Sequence, residues 1–152
     1  MFRGECSLSI DSKGRIAVPS RYRERLSDHC GGKLVVTISL LERCLTVYPF
    51  PSWQRIENEL RELPALDAKA QAISHLLIGH ANECEIDSHG RFLLPQNLRE
   101  FASLDKQIRM VGQVSKFELW ADTLWAARRE EMLGQVGELL SQPSDAVKAL
   151  IL

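Results

Sequence analysis

Two arginines stand directly after a glycine in matching contexts: Arg15 follows Asp11-Ser12-Lys13-Gly14, and Arg91 follows Asp87-Ser88-His89-Gly90. A turn of this kind asks for Asp at its start and Gly at its end, but not for an arginine beyond it. The guanidinium is a planar fork of donors that fits a carboxylate, a phosphate or the two acceptors on a guanine edge. One chemistry is local, a salt bridge from each Arg to the Asp of its own loop. The other is outward, with the fork projecting toward nucleic acid, and spacing alone leaves both open. Lys13, Arg21 and Arg23 lie near the first arginine, and His89, Asn97 and Arg99 take the equivalent places near the second. The first set is the more basic.

Other chemistries find little support. Cys6, Cys30, Cys44 and Cys84 lie 24, 14 and 40 residues apart with no C-x-x-C pair, so reduced structural thiols are expected rather than zinc ligands or disulfides. His75 and His80 are five apart, which does not put them on one helix face as an i, i+4 metal pair would be, and His29 and His89 stand alone. There is no nucleophile elbow, phosphate-binding loop, dinucleotide fingerprint or H-E-x-x-H. Neither enzyme activity, nor a cofactor, a metal or a small-molecule substrate is expected.

An internal repeat supplies the elements that must position the arginines. Asp11-Ser12-Lys13-Gly14-Arg15-Ile16-Ala17-Val18-Pro19 recurs 76 residues later as Asp87-Ser88-His89-Gly90-Arg91-Phe92-Leu93-Leu94-Pro95. The match extends back to Ile10 and Ile86 and forward to Arg23-Glu24 and Arg99-Glu100, and Leu45 to Trp53 matches Phe117 to Trp125 at an offset of 72, four residues having been lost. Asp11 and Asp87 should open a type I turn, with Gly14 and Gly90 at positive φ in a three-residue hairpin connection. Strands are expected on both sides, with Ile16 and Val18, or Phe92 and Leu94, on the inner face and Arg15 and Arg91 at the edge of the turn.

Pro19 and Pro95 suit the first position of short helices, Ser20 to Leu26 and Gln96 to Ala102. Leu34 to Ile38 and Cys44 to Tyr48, mirrored by Ile108 to Val114 and Lys116 to Trp120, read as strands. Between the copies, a helix with Ser52 as N-cap carries Trp53, Ile56, Leu60 and Leu63, and a second from Asp67 carries Ile73, Leu76 and Leu77 and closes at Gly79. A last helix from Asp122 carries Trp125, Met132, Leu133, Val136, Leu139 and Leu140. Core packing is the expected use of these apolar stripes, docking on a neighbouring subunit the alternative.

Composition agrees with a globular protein: 152 residues, 45% hydrophobic and 26% charged, with no apolar run long enough for a membrane span and no signal-peptide core behind Met1. A cytoplasmic location is expected. The net charge of −1 argues against coating nucleic acid by bulk charge, but residues 1–25 carry +3 and leave −4 to the rest, so a local basic footprint survives.

A doubled D-x-x-G-R-h-x-x-P motif, with h apolar, in a chain opening Met1-Phe2-Arg3-Gly4, resembles the MraZ family of bacterial transcriptional regulators. Leu76 to Ala81, Val111-Gly112-Gln113 and Lys116 to Trp120 extend the resemblance over nearly the whole chain; Gly134 to Leu152 holds no motif that can be placed. Each half is similar to the AbrB-like (SpoVT-AbrB) DNA-binding domain.

The resemblance implies an α+β fold in which two AbrB-like halves form a swapped-hairpin (double-split) β-barrel with flanking helices. The halves would be 5–52 and 81–124, joined by a helical linker 53–80 and followed by a helical segment 125–152. It further implies ring-shaped homo-oligomers in the cytoplasm, associated with the nucleoid. The expected partner is double-stranded DNA, at short direct repeats in the promoter of the division and cell-wall gene cluster. By position the DNA contacts would be Lys13, Gly14, Arg15, Arg21, Arg23, His89 and Arg91, with Asp11, Gly14, Asp87 and Gly90 forming the turns. The alternative is an antitoxin-like or scaffolding module on the same barrel, which a long acidic or disordered tail would favour; the amphipathic pattern after Trp120 favours the regulator.

Overall fold

The computed structural model describes residues 1–150; Ile151 and Leu152, the end of the expected segment 125–152, lie outside the described residues. Both turns form as their residues require. Gly14 N donates to Asp11 O at 3.0 Å and Asp11 N to Arg15 O at 3.0 Å, with Gly14 at φ +82. In the second copy Gly90 N donates to Asp87 O at 3.0 Å and Asp87 N to Arg91 O at 2.8 Å, with Gly90 at φ +76. Only glycine takes this backbone region without strain.

The flanking strands do not continue as a hairpin, contrary to expectation. β1 (Glu5–Ser9) and β2 (Arg15–Ala17) are joined by one isolated bridge, Ile10 to Ile16, and then part. The remaining elements are α1 (Ser20–Cys30), β3 (Lys33–Ile38), β4 (Leu45–Pro49), α2 (Phe50–Arg61), α3 (Ala68–Gly79), β5 (Asn82–Glu85), β6 (Arg91–Leu93), α4 (Gln96–Phe101), β7 (Gln107–Gln113), β8 (Lys116–Ala121), α5 (Asp122–Ser141) and α6 (Asp145–Lys148). β1 pairs with β7, β5 with β3 and β2 with β6, so each strand beside a turn finds its partner in the other copy.

The fold is α+β. Six antiparallel strands run β1-β7-β8-β4-β3-β5, an order unchanged when each strand is exchanged for its counterpart and the sheet is read from the other end. The interlocked halves match the swapped-hairpin expectation, but the hydrogen bonding does not close a barrel: β2 and β6 form a separate two-stranded ribbon. That ribbon is three residues long because Pro19 and Pro95 follow one residue beyond it, have no N–H to donate, and stand at the head of helices.

Two compact units result, Met1–Asp122 and Thr123–Leu152, and the first holds both repeats. Its core lies between one face of the sheet and the ribbon with α1 and α4. Leu34, Val36, Leu45, Ile108, Phe117 and Leu119 meet Ile16, Val18, Phe92, Leu94, Leu26 and Leu98, all buried. On the opposite face buried Trp53 of α2 lies beside Tyr48 of β4, its indole N–H on Glu57 Oε1 at 2.6 Å, and Thr37 Oγ1 of β3 donates to Leu77 O of α3 at 2.7 Å.

Several helix boundaries differ from the sequence reading. Pro19 and Pro95 occupy N-cap positions rather than the first helical position, Pro49 is likewise the N-cap of α2, and α1 runs on to Cys30 before Gly31 caps it in the left-handed region. Pro51 falls within the first turn of α2, where its missing N–H is unneeded, so Ser52 is inside the helix and not its cap. Asp67 does cap α3, accepting from Lys69 N and Ala70 N. The shortening of the second copy falls at two places, two residues between Pro95 and β7, where α4 is also the shorter helix, and two in the β7–β8 turn, which passes over Val114 at φ +66.

The apolar stripes are core only in part: Trp53 of α2 is buried, but most of the rest is not. On α3 only Ala70 is buried, while Ile73, Leu76 and Ile78 are exposed, and Leu63 beyond α2 is exposed too. On α5 no residue is buried; Leu133, Val136, Leu139 and Leu140 are all about half exposed or more. The 3.6-residue period identified helices, and left open what would cover them.

Candidate nucleic-acid interface

Each loop is an acidic residue wrapped by the backbone that follows it. Asp11 Oδ1 accepts from Lys13 N and Arg15 N, both at 2.9 Å, and Oδ2 accepts from Arg15 Nε at 2.8 Å. Asp87 repeats this with His89 N at 2.8 Å, Arg91 N at 2.9 Å and Arg91 Nε at 3.1 Å. The Arg15 backbone N–H chiefly, with its side chain and the Lys13 N–H, holds the Asp11 carboxyl below the usual carboxylate range; the Arg91 backbone and then the His89 backbone do the same for Asp87.

The local and outward chemistries are compatible. Nε of each arginine takes the carboxylate, and among the described residues the other guanidinium nitrogens of Arg15 and Arg91 make no hydrogen bond. The carboxylate fixes one edge of the fork and leaves the far edge to another acceptor. Both arginines are partly exposed, with about 30% of the side chain accessible.

The ribbon joins the two sites. Arg15 is paired with Leu93 and Ala17 with Arg91, flanking a central Ile16–Phe92 pair that faces the core. Alternation puts Arg15, Ala17, Arg91 and Leu93 on the outward face, where Arg15 and Arg91 are diagonal neighbours, roughly 7–8 Å apart in an ordinary ladder. Residues 76 apart in sequence thus form one surface.

The other expected contacts are regrouped. Lys13 and His89 are exposed at the loop tips, and His89 Nδ1 lies 3.3 Å from Ser88 Oγ. Arg21 lies over the Tyr22 ring on α1, with the Gly4 backbone nearby rather than the first loop. Arg23 crosses to the second loop: its Nε donates to Val18 O at 2.6 Å and its guanidinium lies over Gly90. Arg99 crosses to the first loop: Nε donates to Leu94 O at 3.2 Å, and the guanidinium lies over Gly14. Arg99 was not among the expected contacts, and its equivalence to Arg23 in the repeat was the signal that could have found it.

No group of three or more metal-ligating side chains occurs among the described residues, and no helix there is long and apolar enough to cross a membrane. Burial pushes the Cys44 thiol up, beside Glu118, and raises that of Cys84 to about 11. Both stay protonated at neutral pH.

Comparison with known proteins gives the family. A family model described as "MraZ protein, putative antitoxin-like" matches residues 1–76 and again 77–135. The chain is 48% identical over 152 residues to "Transcriptional regulator MraZ" of Pseudomonas aeruginosa (strain LESB58), covering all of both chains. A protein of the same name from Thioalkalivibrio sulfidiphilus is 47% identical over 152 residues, again covering all of both. That of Methylococcus capsulatus is 51% identical over 133 residues, covering 88% of this chain and 87% of the relative. With two Asp-anchored arginine loops in tandem and full-length relatives of this similarity, the chain belongs to the MraZ family.

Proposed function

We propose that this chain is a sequence-specific DNA-binding transcriptional regulator that acts on short direct repeats in the promoter of the bacterial division and cell-wall gene cluster, its own gene included. The relatives' shared name supports the regulator, and the observation that carries DNA binding is the pair of arginines on the outward face of the β2–β6 ribbon. A major groove about 12 Å wide admits a two-stranded ribbon, and a bidentate arginine contact to guanine gives roughly 1–3 kcal/mol of discrimination. In this reading Arg15 and Arg91 read base edges. Lys13, Arg21 and His89 contact phosphates, Arg23 does so only secondarily, and Gly14, buried at the loop tip, shapes the loop that presents them. No catalytic step, cofactor or small-molecule substrate belongs to the reading.

Several protomers are proposed to act together as a ring-shaped homo-oligomer associated with the nucleoid in the cytoplasm. The exposed stripes of α3 and α5 support self-association. An antitoxin-like or scaffolding role is the alternative. It is disfavoured because β8 leads directly into the 20-residue helix α5 rather than into an acidic or disordered tail.

A gel shift on the upstream region of the chain's own gene tests the proposal. Arg15→Ala should abolish specific binding while the circular dichroism spectrum is unchanged, because Asp11 and Gly14 make the turn and Arg15 projects from it. Arg91→Ala should weaken binding less, since His89 replaces Lys13 beside it. Wild-type affinity in Arg15→Ala would sink the assignment.

A further inference from the structure

The two loops are held in place from the opposite half of the molecule, in the same manner twice. The entry to the first loop is fixed by Ile10 N to Lys106 O at 2.9 Å, and its tip by Leu94 N to Gly14 O at 2.9 Å. The entry to the second is fixed by Ile86 N to Gly32 O at 2.9 Å, and its tip by Val18 N to Gly90 O at 2.8 Å. Over each tip lies a guanidinium from that same opposite half. Arg99, anchored on Leu94 O, covers Gly14, and a Cβ built on Gly14 would lie 3.1 Å from its Cζ. Arg23, anchored on Val18 O, covers Gly90 so closely that a Cβ there would overlap it.

Neither contact is needed to make a turn. The Asp carboxylates already collect the loop amides, and the glycines already supply positive φ. Yet Gly14 and Gly90 are buried at the tips of otherwise exposed loops, and the covering group is an arginine both times. Each guanidinium donates through Nε to the carbonyl one residue past β2 or β6 while its Cζ sits against a glycine, two contacts that the compact, strongly hydrated ammonium of lysine cannot make at once.

We propose that Arg99 and Arg23 are positioning residues in crossed arrangement: Arg99 sets the Asp11–Arg15 loop, and Arg23 sets the Asp87–Arg91 loop. Each holds the other half's loop in its DNA-reading conformation before DNA arrives, so less ordering is left to be done on binding. The consequence for DNA rests on the reading proposed above; the consequence for the free protein does not. Arg23 then acts on DNA chiefly through Arg91, and any phosphate contact from its terminal nitrogens is secondary.

Hydrogen exchange on the free, full-length protein tests the crossing. Arg99→Ala should speed exchange of the Lys13, Gly14 and Arg15 amides by about tenfold or more, leaving His89, Gly90 and Arg91 near wild type, and Arg23→Ala should do the reverse. Equal acceleration in both loops, or none, overturns the proposal. Arg99→Lys keeps the charge and guards against a variant that does not fold; it should leave the first loop unprotected, and wild-type protection in it would also overturn the proposal.

DNA affinity provides the second arm, with Arg91→Ala as the partial-loss background. Arg23→Ala added to Arg91→Ala should cost little more than Arg91→Ala alone, whereas Arg99→Ala should multiply the loss. Arg99→Ala should also leave the salt dependence unchanged, where loss of a phosphate ligand would flatten it. Multiplicative losses for Arg23 with Arg91 would refute the crossed arrangement. Crossed exchange in a protein whose DNA binding ignores Arg15→Ala would instead uphold the positioning and refute the DNA reading.

Discussion

At the scale of single residues, the aspartates are as necessary as the arginines they hold. Their carboxyls are lowered from the ordinary value of 3.8 in the folded protein, so the stability they contribute is present above that value and is lost as pH falls through the folded one. Protection of the Lys13, Arg15, His89 and Arg91 amides should therefore hold from neutral pH down to about 4 and disappear below it, as an exchange titration would record. Asp11→Ala should release the same first-loop amides at neutral pH and weaken specific DNA binding; full protection in that variant would show that the backbone alone holds the turn. Gly14→Ala adds a Cβ at φ +82 under Arg99, and a loss of about 1–2 kcal/mol in denaturant unfolding is expected.

Elements differ in what holds them. α2 is fastened by one residue: Trp53 is 2% exposed, and Trp53→Ala should cost about 3–5 kcal/mol of stability. α5 has no buried residue and carries Leu133 and Leu139 at 52% and 58% exposure. Glutamate at both should therefore leave the unfolding free energy within roughly 0.5 kcal/mol of wild type. If this face packs against other copies, sedimentation should report a smaller particle. An unchanged particle size would remove α5 from the proposed ring contact.

For the whole molecule, a net charge of −1 and one small ribbon per protomer limit what a single copy can hold. Engagement of successive sites by several protomers can raise avidity by roughly 10² to 10⁴ without a new contact. Promoter fragments with several evenly spaced repeats should accordingly bind far more tightly than one repeat, and a shift of about 5 base pairs, half a helical turn, should remove the gain. Log affinity should fall with log salt by about 0.9 for each phosphate contacted, and Lys13→Ala should flatten that slope without altering the preferred sequence. Indifference to both spacing and salt would favour the antitoxin-like or scaffolding alternative.

The repeat, the turns, the strands and the inward alternation of Ile16, Val18, Phe92 and Leu94 were all legible in the sequence. Each depends on local chemistry: Asp and Gly three residues apart, at the first and fourth positions, favour a turn, and a two-residue period marks the face that goes inside. That Arg15 and Arg91 share one ribbon was not legible, because β2 has its partner in the other copy, 76 residues away, and neither strand alone specifies which strand it pairs with. Nor was the crossing of Arg23 and Arg99, since neighbours in sequence were naturally grouped with their own loop. The stripes on α3 and α5 misled for a related reason. Periodicity shows that a face is apolar, whereas burial depends on what the rest of the fold brings against it, and only the tertiary structure decides that.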